Sequence, residues 1–123
     1  HLRVAREFFG VTRKMTALHE ADAAEFIRRY RGGRFDLISD DLFVAGGSVA
    51  QRAVVCDARW MKQLVRHLRK DGILCVNFAD RREILAASFS AWFGPGRRFG
   101  SAFELRSPST DNVVAAMLPG SGV

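Results

Sequence analysis

Cysteine, lysine and long apolar runs are all scarce in this chain of 123 residues. The two cysteines, Cys56 and Cys75, form no paired motif, so the sequence offers neither a zinc-ligand pattern nor a disulfide framework. Cys75 sits in an apolar run, where a thiol acts as a small hydrophobe. No disulfide framework suits a reducing compartment, and a cytoplasmic location is expected. No stretch approaches the roughly 18 consecutive apolar residues that span a bilayer, so no membrane partner is expected. The N-terminus lacks the pattern of a signal peptide. The first residue is His1, and the sequence opens inside a helix-like pattern, which is expected of a fragment, a processed chain or an incomplete gene model.

The three lysines stand against sixteen arginines, and the net charge is +6. A basic balance attracts nucleic acid or anionic substrates. Here the arginines are scattered in pairs such as Arg28 and Arg29, Arg81 and Arg82, Arg97 and Arg98. No aromatic stripe interleaves them and no nucleic-acid motif is present, so they read as solvated basic faces, and nucleic acid is not an expected partner. A glycine-rich turn after an apolar strand is also missing. Gly46 and Gly47 do not have phosphate-cradling spacing and read as a loop over a pocket.

What is present suits one compact domain over residues 1–123, since 48% of residues are hydrophobic and 26% charged. Apolar residues at 2, 4, 5, 8 and 9 predict a helix that Gly10 stops. Lys14–Glu20 reads as a short strand. Asp22 and Glu25 form a capping-box-like start to a helix through Phe26, Ile27 and Tyr30, ended by Gly32 and Gly33. Phe35–Leu42 is the next strand. Helical spacing returns over Asp57–Lys70 and breaks at Asp71-Gly72. Ile73–Phe78 is apolar enough for a strand covered on both faces. Arg81–Phe93 reads as a helix. Ser101–Arg106 and Asn112–Leu118 then form an antiparallel hairpin across five residues. The alternation predicts a doubly wound α/β domain, mostly parallel, with helices on both faces.

The ordered segments HLRVAREFFG, EADAAEFIRR, RFDLISDDLF and LRKDGILCVNF resemble the second part of a class I S-adenosylmethionine-dependent methyltransferase, and most closely the spermidine synthase-like branch. The resemblance covers nearly the whole chain and rests on order and spacing. It implies a Rossmann-like sheet of order 3-2-1-4-5-7-6, here without its first two strands and the glycine-rich turn between strand and helix. It implies S-adenosylmethionine or its decarboxylated form as cofactor, bound weakly or not at all by this chain alone. The parent activity would be transfer of a methyl or aminopropyl group to a small-molecule acceptor of the polyamine kind. The alternative is a degenerate, non-catalytic module acting by partner binding.

By the same resemblance, Asp22 and Ala23 contact the cofactor's adenine. The plain reading of Asp22 as a helix cap is compatible with that. Asp41 matches the acid that ends the fourth strand, where a carboxylate would accept the proton of an attacking amine. Asp40 is its neighbour and a substrate-binding candidate, pointing to the other face if the strand persists. The plain alternative is that both end the strand in solvent. Polyamine synthases carry a second acid three positions after the first. That position is Val44 here, with Leu42 and Phe43 replacing small polar residues, so the acceptor is open. His67 reads as exposed, and His19 as a structural residue in the second predicted element. With the first two strands absent, the strand over residues 15–20 either pairs directly with Phe35–Leu42 or stays unpaired, and in the second case its exposed edges favour homo-oligomerisation.

Overall fold

The computed structural model describes residues 2–44, 47–87 and 89–120. It is a mixed α/β domain built on an open four-stranded sheet. Helix α1 spans Leu2–Phe8 and has no buried residue; Gly10 follows it with a positive φ of 61°, a conformation glycine adopts without steric cost. Residues 14–20 form no strand, which corrects the expectation from sequence. Among the described residues no strand pairs with this stretch, and an unpaired ladder leaves its backbone groups to water.

Helix α2 (Ala23–Arg29) starts where Asp22 caps it, the carboxylate accepting from the Glu25 amide at 2.8 Å. Strand β1 covers Phe35–Asp40. Helix α3 (Ala58–Val65) is capped by Asp57 through the Trp60 amide at 2.8 Å. It ends earlier than its periodicity predicts, because Leu68 to Lys70 already belong to strand β2 (Leu68–Phe78). The Phe35 amide donates to the His67 carbonyl at 2.8 Å and Phe35 pairs with Leu68, so a long-range ladder overrides the local helical pattern. The register slips between Phe35 and Leu37, opposite Gly72. A Cβ on Gly72 would lie 3.0 Å from the Phe35 carbonyl oxygen, so the irregularity falls at a residue without one.

Helix α4 (Arg81–Ala86) is shorter than the predicted helix: the chain leaves helical geometry at Ala87, and Ser90–Trp92 form only a 3-10 turn. Strands β3 (Phe99–Arg106) and β4 (Val113–Pro119) make the expected antiparallel hairpin. The sheet order is β1-β2-β4-β3, with β1 and β2 parallel and the other two pairings antiparallel. The sheet is therefore mostly antiparallel, where the alternation of elements predicted mostly parallel.

The core lies on one face. Leu74, Val76, Phe78, Ala115 and Met117 pack there with Ile27, Trp60, Met61 and Leu64 of the helices. Successive strand residues alternate faces, so their neighbours line the opposite side. On that side Leu37, Phe103 and Leu105 stay more than half exposed. The helices that pack on the sheet, α3 and α4, thus cover one side of it rather than both.

Candidate functional site

The parallel pair β1–β2 has a carboxyl end, and the sequence candidates gather around it. Tyr30, at the end of α2, stacks on Phe35, at the start of β1, with centroids 5.0 Å apart. At its other end α2 places Ala23 in a small cleft of about 150 Å³, shared with Phe26, Ile38, Asp40, Leu42 and Trp60. Helix α2 therefore runs back along β1, and Asp22 and Ala23 stand toward the same end as Asp40 and Asp41.

The two adjacent acids have opposite fates, as strand alternation dictates. Asp40 turns under the helices and is buried. Its Oδ2 accepts from Arg52 Nη2 and from Trp60 Nε1, each at 2.7 Å. Arg52, also buried, donates further to the Val54 carbonyl at 3.0 Å and the Asn77 carbonyl at 2.6 Å, and its guanidinium lies over the Phe78 ring. Asp40 Oδ1 is buried with no hydrogen-bond partner among the described residues. Asp40 thus anchors the β1–α3 loop and does not reach the outer surface of the rim.

Asp41 is exposed, on the side of the sheet away from the helices. Its Oδ1 accepts from Asn77 Nδ2 at 2.9 Å, and Asn77 Oδ1 in turn accepts from Asn112 Nδ2 at 3.4 Å. Three elements therefore meet in one line of polar side chains: the end of β1, the end of β2 and the entry to β4. The second Asp41 oxygen has no protein partner among the described residues and faces solvent. Asp22 is likewise exposed, with one oxygen engaged in the cap. The first amides of a helix have no intrahelical acceptor, so the Ala23 N–H beside that carboxylate is a free donor. Of the predicted glycine loop, Gly46 lies outside the described residues.

Two histidines depart from expectation. His67 is buried, not exposed, with Nε2 2.8 Å from the Ile27 carbonyl oxygen. Burial is the main reason its pKa falls below the ordinary 6.5, with Arg66, Arg31 and Arg34 adding repulsion against the Ile27 hydrogen bond. A base whose pKa is lowered by folding takes up its proton more readily when unfolded. The stability it contributes is complete above pH 6.5 and is lost as the pH falls through the lowered folded value. Urea denaturation at pH 7.5 and pH 5 should show that loss in the wild type, and a smaller one in His67→Gln. His19 is outside any strand and packs on Phe26, with centroids 4.9 Å apart.

Cys56 is buried beside the Asp40–Arg52 pair. Burial is the leading cause that pushes its thiol up to about 12, against the attraction of Arg52. A thiol so protonated is not a nucleophile. Among the described residues, no group of three or more His, Cys, Asp or Glu side chains is placed to hold a metal ion. No described helix is long and apolar enough to cross a membrane.

Arg52 is the residue that sequence reasoning missed. It lies in a loop, twelve positions after Asp40, with no local pattern to mark it. Trp60 was legible only as core; its indole N–H on Asp40 follows from the fold. No protein-family model, no curated protein and no solved structure matches the chain.

Proposed function

We propose that this chain supplies the acceptor side of a group-transfer site of the spermidine synthase-like and methyltransferase kind. The observation that carries the reading is the strand order. β1-β2-β4-β3, with only the first pair parallel, corresponds to the 4-5-7-6 half of the sheet order that the sequence resemblance implies. A hairpin that inserts its last strand between the parallel pair and its own first strand is a specific arrangement, and neither composition nor periodicity demands it. The positions of Asp22, Ala23 and Asp41 toward one end of β1 support the same reading, because ligands of open α/β sheets bind at the carboxyl ends of the strands.

The side chains fit the group in kind. Asp22 offers a carboxylate acceptor and Ala23 a backbone donor side by side, a pair that suits the amino group and ring nitrogen of an adenine. An adenosyl sulfonium supplies a carbon already activated for displacement. What remains for the protein is to hold the acceptor and remove its proton. Asp41 does both in this reading. Asn77 fixes one of its oxygens, and the other accepts the proton of the attacking amine or hydroxyl. Asp40, locked to Arg52 and Trp60, holds the strand end from beneath rather than touching the acceptor.

The test is a heteronuclear NMR titration with S-adenosylmethionine and with its decarboxylated form. The expected result is weak binding, with amide shifts at Asp22, Ala23 and Asp41 that diminish in Asp22→Asn. Tight binding elsewhere on the molecule, or no response at that rim, contradicts the reading.

A further inference from the structure

The polar line that holds Asp41 does not stop at Asn112. Asn112 also lines an open cleft of about 480 Å³ between the start of α4 and the β3–β4 turn. Arg81, Arg82 and Arg106 line the same cleft, with the hydroxyl-bearing Ser107 and Thr110. Arg81 and Arg82 are exposed, and their guanidinium groups have no ion pair or hydrogen bond among the described residues. Arg106 is engaged with Glu104, whose carboxyl is held below its ordinary value chiefly by that hydrogen bond, with Arg81 nearby adding to it.

The cleft also contains two acids. The Asp80 carboxylate is consumed at the start of α4, where Oδ1 accepts from the Arg82 and Glu83 amides. Asp111 sits on the turn, and neither acid forms an ion pair with Arg81 or Arg82 among the described residues. We propose that this cleft binds the anionic group, a phosphate or carboxylate, of a small-molecule acceptor whose nucleophile reaches Asp41. This rests on the transferase reading above and gives the acceptor its class: an anion rather than a diamine. The absence of a second acid at Val44 agrees with it, since a diamine needs a carboxylate at each end, whereas guanidinium groups select oxyanions.

The test adds inorganic phosphate, succinate, putrescine and a short oligonucleotide separately to the whole chain, following backbone amides and arginine side-chain N–H signals. Phosphate or succinate should shift Arg81, Arg82, Thr110 and Asn112, and the difference between the two names the preferred anion. The double variant Arg81→Gln/Arg82→Gln should weaken that binding about tenfold or more, and Arg81→Lys/Arg82→Lys, which keeps the charge but loses the planar fork, should weaken it less. Both positions are exposed, so neither variant disturbs the core. Three results overturn the proposal: putrescine shifting these residues while the anions do not, an anion response unchanged in the Gln variant, or binding only to oligonucleotides with a steep salt dependence. Loss of the nucleoside response at Asp22 and Ala23 would remove the transferase reading and the acceptor role with it. Loss of the anion response alone would remove only the anionic acceptor.

Discussion

Arg52→Ala should destabilise the fold by about 3–5 kcal/mol, which for a domain of this size is a large share of its stability. The substitution strands the buried Asp40 carboxylate with only the Trp60 indole as donor. It also leaves the carbonyls of Asn77 and Val54 without the guanidinium that now satisfies them. The destabilisation therefore comes from uncompensated burial more than from the lost attraction between two ions. A contrast separates the two. In Asp40→Leu/Arg52→Met no charge is left behind, and the loss should fall below that of Arg52→Ala alone, although the two freed carbonyls and the Trp60 indole N–H, deprived of its acceptor, keep it from vanishing. Urea denaturation of the three proteins measures this directly. Equal losses in the single and double variants would show that the ion pair is not the element that matters.

The second large effect follows from the one-sided core. Phe78→Ala should cost about 3–5 kcal/mol, because the ring is fully buried and meets Phe89 edge-on with centroids 5.5 Å apart. Phe103→Ala removes the same atoms from a site 56% exposed. Its loss should stay under about 1 kcal/mol, since surface substitutions away from specific contacts are nearly neutral. The ratio of the two tests whether the second face of the sheet is open in solution. If Phe103→Ala were as damaging as Phe78→Ala, something would be packed on that face, and the layer description would need a further element.

Sequence reading succeeded where structure is local. The Asp22 cap, the end of α1 at Gly10, strand β1 and the closing hairpin all follow from short patterns, and each is present. It failed where distant pairing decides. Leu68 to Lys70 continue the helical spacing of α3 yet join β2, because Phe35, more than thirty positions earlier, is there to pair with Leu68. Residues 14–20 show the opposite failure: a strand pattern with no partner does not make a strand. The apolar spacing of residues 81–93 predicts one helix, but Ala87 takes an extended conformation and the aromatic residues beyond it pack from a turn.

The candidate site divides in the same way. Asp22 and Asp41 were legible as residues at element boundaries. That Asp40 would face away from Asp41 could be anticipated from strand alternation alone, but not that it is the buried one of the two. Its partner could not, because nothing near Arg52 distinguishes it from the other arginines. The link from Asp41 through Asn77 to Asn112 depends on β4 lying beside β2, a fact of topology that no window of sequence contains.

Interstrand NOEs measured on the isotopically labelled chain address this topology most directly. Close contacts from Cys75 to Ala116 and from Phe103 to Ala116, together with a contact from the Asn77 side-chain amide to the Asp41 methylene, are the predicted result. Contacts that put β3 beside β2, or an Asp41 side chain remote from Asn77, would contradict the strand order and remove the physical basis for a shared rim.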